Sequence, residues 1–564
     1  MPSIKIGDYL IKRLKEINIE TIFGVPGDYN MPFLDLIEDD KDLVWGNNAN
    51  ELNAAYAADG YARIRGAGAV VTTFGVGELS AINGIAGSYS EMLPVIHIVG
   101  TPVTSSQNSH ALLHHSLGNG DFQVFTKMSS MVTAAAVHLS REGALEEIDH
   151  VISTAYMCKR PGYIGLPLDF MLKEVQVSES QLKPLVLYNK PNPKEVQEIA
   201  LQKILEEISE AKRPAIIVDG CILRQNLSKE ANAFVLRSGF PTFSAPMGKG
   251  AIDESLPNFR GCYSGNVTLE GISKEIEDAD LLIELGSIKS DFNTGNFSYG
   301  LEKKKTISLH SFGTTIYHAD YNHVCMSELL LLLTEKLPEK AAPIDFGPRV
   351  RPEPIDDSTQ EITHNYLWNK VPSYIASNSI VVAETGTAEF GVFNMDSPKG
   401  TTFISQILWG SIGYTVGAAL GAGMADRQRI VYLFVGDGSF QLTAQEVSVY
   451  IRHGLTPVIF LLNNNGYLIE KLIHGPQRSY NNYQMWEYSK TLEFFGGHLE
   501  QNRANGKRPS QIGFEGKVNT RTEFENAMKQ VTEEPNKIHF LEVIMPQFDA
   551  PRELKILVST SENR

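Results

Sequence analysis

An aspartate and an asparagine stand at a spacing that could build a site for a divalent cation. Asp437 follows the apolar run IVYLFV in the stretch GDGSF, and Asn464 follows TPVIFLL in the stretch NNNGY, with 24 residues between Gly438 and Asn463. If both runs are nearby strands of one parallel sheet, their carboxyl ends meet at the edge where such sheets bind ligands. Two oxygen-bearing side chains and a glycine carbonyl suit Mg²⁺ or Ca²⁺, with phosphate oxygens and water completing the shell.

Each half of this pattern also has an ordinary structural interpretation. A lone GDG is typical of a strand-to-helix turn, and three asparagines are typical of a β-turn because Asn tolerates a left-handed backbone. The segment LTAQEVSVYIRHG repeats apolar residues every three to four positions up to Gly454 and predicts a helix. Backbone N–H groups at its N-terminus could bind an anion. The spacing between the halves therefore carries more weight than either half.

The elements that would position these residues are alternating strands and helices. Short runs rich in Val and Ile, each ending in Gly or Pro, predict an α/β fold with parallel sheets buried on both faces by helices. These runs are 69–77, 95–102, 215–221, 281–287, 380–386, 429–439 and 538–546. Two proline-rich stretches, 182–195 and 338–360, are interpreted as linkers. The sequence thus predicts three domains, at 1–181, 195–338 and 360–564.

Composition narrows the class of partner. A formal net charge of −16 and a pI of 5.4 disfavour nucleic acid and anionic membranes as partners and leave small molecules or other protein chains. The four cysteines show no CxxC pair, which is typical of a reducing compartment and gives no zinc spacing. The N-terminus lacks a secretory signal pattern, and the leucine run at 329–333 is too short for a membrane span. We therefore expect a cytoplasmic protein.

GDG, 24 residues and NN together resemble the motif of thiamine-diphosphate-binding enzymes. The resemblance implies that Asp437, Asn464 and the Gly466 carbonyl hold Mg²⁺ on the cofactor's diphosphate. In ISQILWGSIGYTVGAAL, Ile412 matches the residue that wedges the cofactor, and the Gly410 carbonyl matches the acceptor for the cofactor's 4′-amino group. Without the resemblance, this segment would be interpreted as the start of a buried helix. Three further positions are expected to bind the cofactor by the same resemblance: Thr387, Gly438 and Ser439.

A glutamate of the first domain completes the resemblance. The segment NANELNAAYAADGYARIRG predicts a helix from about Asn50, with Glu51 in its first turn and Gly60 interrupting it. Alone, such a glutamate would merely complement the helix dipole. The resemblance implies instead that Glu51 hydrogen-bonds the aminopyrimidine ring, favouring the tautomer whose 4′ nitrogen can remove the proton from thiazolium C2.

Four more residues resemble the set of the 2-oxo acid decarboxylases of the pyruvate and indolepyruvate type. They are Asp28 in IFGVPGDYN, His114 and His115 in ALLHHSLGNGDF, and Glu470 in YLIEKLIH. Adjacent histidines on a helix or strand point to different sides, so joint metal binding by this pair is not expected. The resemblance implies that Asp28 and His115 relay protons, while His114 and Glu470 orient the substrate and assist decarboxylation or release. It also implies conversion of a 2-oxo acid to an aldehyde and CO₂ through an ylid and an enamine.

The resemblance extends over essentially the whole chain and looks closest to the fungal pyruvate decarboxylases. It implies a pyrimidine-binding domain, a central regulatory domain and a diphosphate-binding domain, with pyruvate as substrate. It also implies a homodimer or homotetramer, because in that family two chains share each cofactor. Three positions bear on regulation and substrate. Met92 replaces a common histidine, Cys221 matches the cysteine linked to substrate activation, and Glu389 places a carboxylate near the substrate that could repel it.

Other interpretations stay open. An aromatic or branched-chain 2-oxo acid, of the phenylpyruvate or indolepyruvate type, is the alternative substrate. The chain could also be a thiamine-diphosphate-sensing regulator that has lost catalysis, or a carboligating synthase. A nicotinamide dehydrogenase is disfavoured because GVGELS has Ser80 where GxGxxG needs its third glycine.

Overall fold

The computed structural model describes residues 2–140, 142–187, 190–301, 304–338, 347–499 and 509–561. These residues form three α/β domains, each built around its own sheet, as predicted. Residues 188–189 and 339–346 of the two predicted linkers lie outside the described ranges. The boundaries at 181, 195, 338 and 360 stay a prediction. Within the described ranges, no helix combines the length and apolar character that crossing a membrane requires.

The first domain holds a six-stranded parallel sheet and a small antiparallel pair. Its strands are β1 (Ser3–Lys5), β2 (Thr21–Gly24), β3 (Val44–Trp45), β4 (Gly68–Thr73), β5 (Val95–Thr101), β6 (Ala135–His138), β7 (Gly162–Pro167) and β8 (Glu174–Gln176). Its helices are α1 (Ile6–Glu16), α2 (Met31–Asp39), α3 (Glu51–Arg65), α4 (Val76–Ser90), α5 (Thr104–Asn108), α6 (Val124–Ser130), α7 (Ala144–Cys158), α8 (Leu168–Met171) and α9 (Glu179–Leu182). The sheet order is β3-β2-β4-β5-β7-β6, and β1 pairs with β8.

The middle domain has a seven-stranded sheet that is parallel until its last two strands. Its strands are β9 (Pro214–Val218), β10 (Thr242–Ser244), β11 (Phe259–Cys262), β12 (Leu281–Leu285), β13 (Lys305–Leu309), β14 (Gly313–Ile316) and β15 (Ala319–Asn322). Its helices are α10 (Lys194–Glu210), α11 (Gly220–Arg224), α12 (Ser228–Ser238), α13 (Glu270–Glu277) and α14 (Met326–Lys336). The order is β11-β10-β9-β12-β13-β14-β15, with β14 and β15 antiparallel.

The third domain repeats the topology of the first. Its strands are β16 (Ile380–Ala383), β17 (Thr402–Ile404), β18 (Val431–Gly436), β19 (Val458–Asn463), β20 (Ile512–Val518) and β21 (Ile538–Ile544). Its helices are α15 (His364–Lys370), α16 (Thr387–Val392), α17 (Tyr414–Ala425), α18 (Asp437–Thr443), α19 (Val447–Arg452), α20 (Leu468–Ile473), α21 (Thr491–Phe494), α22 (Arg521–Glu533) and α23 (Arg552–Ser561). Its order, β17-β16-β18-β19-β21-β20, matches the parallel sheet of the first domain strand for strand. The central strands are buried almost throughout, as continuous apolar runs predict.

Helix α3 of the first domain packs against α17 of the third with almost no space between their backbones. A Cβ on Gly60 would lie 2.0 Å from the Ala418 carbonyl oxygen, and one on Gly421 would lie 1.8 Å from that of Ala57. Gly60 therefore does not interrupt α3, which runs unbroken from Glu51 to Arg65. That detail of the sequence interpretation was wrong, because this glycine serves close helix packing.

The helix predicted after Asp437 is also different from the observed one. It is split into α18 and α19 by a 3₁₀ turn at Ala444–Glu446. Thr443, which precedes the turn, leaves the helical region and donates a 2.7 Å hydrogen bond to the Gly413 carbonyl. Apolar periodicity does not reveal this break, because the bond comes from a distant segment.

Candidate active site

Asp437 and the asparagine stretch emerge side by side from one sheet edge. Strands β18 and β19 are parallel neighbours, with Gly436 opposite Leu462. Asp437 is buried, and its two carboxylate oxygens accept backbone hydrogen bonds. Oδ1 accepts from Gly438 at 3.0 Å, and Oδ2 accepts from Asn465 at 3.0 Å and Gly466 at 3.3 Å. Burial raises the pKa of this carboxyl, while those N–H groups oppose the shift.

The side-chain oxygen of Asn464, at the same sheet edge, has no hydrogen-bond partner among the described residues. Asn464 is 7% exposed, and its Oδ1 is buried. Such a buried acceptor is costly unless something else binds it. Gly466 has φ +128°, and a Cβ there would lie 2.8 Å from the Asn481 carbonyl oxygen, so the turn needs glycine. An orphaned amide oxygen beside a buried carboxylate fits a hard divalent cation.

The loop that carries Gly410 and Ile412 adjoins this edge. Thr443 Oγ1 bonds the Gly413 carbonyl, and a Cβ on Gly413 would lie 3.1 Å from the Ser439 carbonyl oxygen. Ile412 itself is partly buried. Thr387 begins α16 at the same carboxyl edge of the sheet and is 9% exposed. The loop that ends at Gly413 therefore lies against Ser439, and Thr387 follows β16, the strand beside β18. That Gly410, Ile412, Thr387, Gly438 and Ser439 line a cofactor pocket stays a prediction.

Buried carboxylates that sequence reasoning missed hold this loop. Glu91, on the first domain, is fully buried and accepts hydrogen bonds from the backbone N–H groups of Leu408 at 2.8 Å and Trp409 at 3.3 Å. At the other end, Glu384 Oε2 accepts hydrogen bonds from the Thr415 backbone N–H and hydroxyl. Burial raises the pKa of Glu384 to about 7. These glutamates carry no sequence pattern, because their partners lie in distant segments.

Asp28, His114 and His115 form a cluster at the corresponding edge of the first domain. His114 Nε2 lies 2.6 Å from Asp28 Oδ2, and Tyr29 stacks on the His114 ring at 5.0 Å. One nitrogen or oxygen of each of the three lies within 4.8 Å of the others. The expectation that adjacent histidines diverge was wrong, because this pair lies in a turn where His115 has φ +64°.

Glu51 lies near this cluster. It is the first residue of α3, and Asn50 caps the helix by accepting a 2.8 Å hydrogen bond from Asn53 N. Glu51 Oε1 is 3.1 Å from where a Cβ on Gly77 would stand, at the start of α4. A Cβ on Gly75, two residues earlier, would lie 2.1 Å from the His115 carbonyl oxygen. The N-terminal end of α4 therefore lies between Glu51 and the turn that carries the histidines.

The cluster of Asp28, His114 and His115 in the first domain makes no hydrogen bond or ion pair with the Asp437 edge of the third domain in the described ranges. Glu470 lies exposed on α20, whose Ile469 packs near Gly386 in the third domain. Asp28 and His114 have side chains 51% and 57% exposed.

Comparison with known proteins assigns this arrangement to a family. The chain matches sequence models of the thiamine pyrophosphate enzyme N-terminal TPP binding domain (residues 4–124), central domain (201–326) and C-terminal TPP binding domain (384–543). The chain belongs to the thiamine pyrophosphate enzymes. Pyruvate decarboxylase isozyme 2 of Saccharomyces cerevisiae is 43% identical, over 98% of each chain. Pyruvate decarboxylase of Aspergillus terreus is 41% identical, over 100% of this chain and 97% of that one.

Solved structures share the fold of this thiamine pyrophosphate enzyme. A thiamine diphosphate-dependent 4-hydroxybenzoylformate decarboxylase of Rhodococcus jostii has a TM-score of 0.77 at 17% identity, over 96% of this chain and 99% of its own. Benzoylformate decarboxylase of Polynucleobacter necessarius has a TM-score of 0.76 at 18% identity, over 97% and 99%. At these identities the likeness concerns the three-domain architecture alone.

Glu389, which was expected to present a carboxylate near the substrate, is buried inside the third domain of this thiamine pyrophosphate enzyme. Its side chain is fully buried, and Oε2 accepts a 3.3 Å hydrogen bond from Ser405 Oγ. Burial, with Glu91 as a neighbouring charge, raises its pKa well above the usual range. Burial therefore disfavours the charged form of this carboxyl, which weakens the predicted repulsion of a substrate.

Proposed function

We propose that the protein catalyses the non-oxidative decarboxylation of pyruvate to acetaldehyde and CO₂, using thiamine diphosphate and Mg²⁺. The observation that carries this proposal is the paired geometry: an orphaned amide oxygen beside Asp437 on one domain, and the Asp28, His114 and His115 cluster on another. The names of the fungal relatives support pyruvate as the substrate. The four cysteines, all described and none in a disulfide, agree with a cytoplasmic location.

The third domain would hold the metal and the cofactor. Asp437, Asn464 and the Gly466 carbonyl would bind Mg²⁺, because they offer hard oxygen ligands at one edge of the sheet. The remaining pocket residues would contact the cofactor: Thr387, Gly410, Ile412, Gly438 and Ser439. When bound, thiamine diphosphate supplies the carbon that adds to the 2-oxo group and accepts the electron pair left as CO₂ departs.

The first domain would supply the carboxylate and the proton carriers. Glu51 would hold the aminopyrimidine ring in the tautomer that accepts a proton. Asp28 and His115 would deliver a proton to the reacting carbon of the substrate, since imidazole and carboxylate are suited to proton transfer near neutral pH. His114, bonded to Asp28, would orient the substrate together with Glu470.

A second copy of the chain would complete each site. The side chains of Asp28 and His114 face solvent, and no bond among the described residues connects them with the metal-binding edge. Catalysis with a reactive cofactor requires exclusion of water. We therefore infer a homodimer, or a homotetramer of two such dimers, in which Asp28 and Glu51 of one chain act on the cofactor held by the other.

Purified protein supplied with thiamine diphosphate and Mg²⁺ should release CO₂ from pyruvate. We expect kcat/KM for pyruvate to exceed that for phenylpyruvate and for benzoylformate, measured by CO₂ release with the aldehyde identified by chromatography. The same reaction without added cofactor, after dialysis against a chelator, is the control.

Two results would change this assignment. A higher kcat/KM for phenylpyruvate would make the protein an aromatic 2-oxo acid decarboxylase. Binding of the cofactor with no CO₂ from any 2-oxo acid would make it a cofactor-sensing regulator.

The setting of Cys221 predicts kinetics without substrate activation. Cys221 is fully buried, with Sγ 3.6 Å from Met92 Sδ and 3.6 Å from His310 Nε2. Burial raises the pKa of the thiol to about 12, so the reactive thiolate is scarce. Initial rates should depend hyperbolically on pyruvate, and Cys221→Ser should change neither the Hill coefficient nor the half-saturation. A sigmoidal curve that Cys221→Ser abolishes, and that the exposed control Cys158→Ser keeps, would contradict this.

A further inference from the structure

We propose that Glu446 is a positioning residue for Glu51: it clamps the segment that leads into the first turn of α3 and so sets where the Glu51 carboxylate stands. The inference rests on the proposed role of Glu51 in cofactor activation. Glu446 lies in the third domain, in the 3₁₀ turn between α18 and α19, and is fully buried.

Glu446 reaches across the domain boundary with both carboxylate oxygens. Asn48 Nδ2 donates a 2.6 Å hydrogen bond to Oε1, and the Ala49 backbone N–H donates a 3.2 Å hydrogen bond to Oε2. Asn48 is tied in turn to the end of β2, since its Oδ1 accepts a 2.9 Å hydrogen bond from Gly24 N. The clamp therefore joins the third domain to the edge of the first domain's sheet.

A second contact from the same part of the third domain holds the start of this segment. His453 Nε2, just after α19, donates a 2.7 Å hydrogen bond to the Gly46 carbonyl. Residues 46–49 are thus held at two points by one structural unit, Glu446 to His453. This unit follows directly on α18, which carries Asp437.

Little chain separates the clamp from Glu51. Ala49 is two residues before it, and Asn50 is fixed between them by its extended backbone and by its cap on Asn53 N. A shift at Ala49 therefore passes to the first residue of α3 through two peptide planes, which are themselves rigid. Misplacement of a catalytic group by about 1 Å can cost as much as 10²-fold in rate.

The chemistry of the clamp requires a carboxylate. Two donors face its two oxygens, so an amide of the same shape would accept one hydrogen bond and turn its NH₂ against the other donor. Glu446→Gln therefore breaks one bond without opening a cavity. Burial raises the pKa of Glu446 to about 7, an effect that its bonds to Asn48 and Ala49 oppose.

A purely structural role is the competing explanation, and Asp59 offers the matched control. Asp59 is equally buried on α3, two turns beyond Glu51, and accepts hydrogen bonds from Arg63 Nε and Ser88 Oγ, both at 2.8 Å. It also accepts one from the Tyr414 hydroxyl of the third domain. Asp59→Asn disturbs the same helix and the same domain interface but leaves the segment before Glu51 alone. The two variants therefore separate positioning from general stability.

The experiment measures three properties of the full chain carrying Glu446→Gln. Without cofactor, amide hydrogen exchange of residues 46–53, followed by mass spectrometry, should become faster. With thiamine diphosphate and Mg²⁺, exchange of the cofactor's C2 proton should slow by about tenfold or more. The affinity for the cofactor, measured by calorimetry, should stay at the wild-type value, because Asp437 and Asn464 are untouched. Asp59→Asn should keep both exchange rates near those of the wild type.

Equal C2 exchange in Glu446→Gln and wild type, or equal slowing in Asp59→Asn, would overturn the positioning role. If Glu446→Gln does not fold, His453→Phe decides: it removes the bond to Gly46 and should slow C2 exchange, and a wild-type rate would refute the proposal. A wild-type protein that does not accelerate C2 exchange at all would instead overturn the proposed function, which keeps the two failures distinct.

Discussion

Replacing Glu51 by glutamine should lower turnover by roughly 10²- to 10⁴-fold, the usual contribution of a positioned acid or base. The amide keeps the size of the side chain but loses the charge that would favour the reactive tautomer of the aminopyrimidine. Binding of thiamine diphosphate and Mg²⁺ should stay intact, because Asp437 and Asn464 lie in another domain. The rate of C2 proton exchange in the bound cofactor, measured by NMR after acid quench, should fall in parallel with CO₂ release.

The matched control tests whether any glutamate at a helix N-terminus would behave in this way. Glu523 occupies the first turn of α22 and accepts a 2.7 Å hydrogen bond from Asn519 N. Glu523→Gln should leave turnover unchanged. If Glu51→Gln retained near-normal turnover, Glu51 would have only the helix-dipole role that its position also permits.

The parts of the fold that could be predicted from sequence are those fixed by local composition. Runs such as 431–436 and 458–463 are apolar on both faces, which is typical of strands buried in a parallel sheet, and both are such strands. The pairing of Asp437 with Asn464 was accessible for the same reason: one helix and one strand fit between them, so both must emerge at the same sheet edge. Their roles as metal ligands stay a prediction.

The rest could not be predicted, because contacts between domains decide it. The break at Ala444–Glu446 interrupts a regular helical pattern, and Glu446 bonds Asn48 and Ala49, about 400 residues away in sequence. The convergence of His114 and His115 depends on a turn with a left-handed residue, which no periodicity marks. The burial of Glu389, which raises the pKa of its carboxyl, could not be read from residue type either.

Replacing Asn464 by alanine should abolish Mg²⁺-dependent binding of thiamine diphosphate and, with it, all CO₂ release. The reason is that Asn464 Oδ1 is buried and accepts no hydrogen bond from the described residues. A buried acceptor of this kind needs a partner, and the proposed cation would be that partner. Removing this oxygen deletes one of the three proposed protein ligands, while the hydrogen bonds that Asp437 accepts from the Asn465 and Gly466 backbone remain. Calorimetric titration of the cofactor in the presence and absence of Mg²⁺ measures the effect.

The adjacent asparagine provides the control. Asn463 Nδ2 donates a 2.9 Å hydrogen bond to Glu542, away from the proposed metal, and its Oδ1 shares the Asn465 N–H with Asp437. Because Asp437 still holds that N–H, Asn463→Ala should keep the turn and bind the cofactor with Mg²⁺ as the wild type does. Equal loss of binding in both variants would mean that the turn, not the Asn464 oxygen, is what the cofactor needs. Unchanged binding in Asn464→Ala would remove this residue from the metal site.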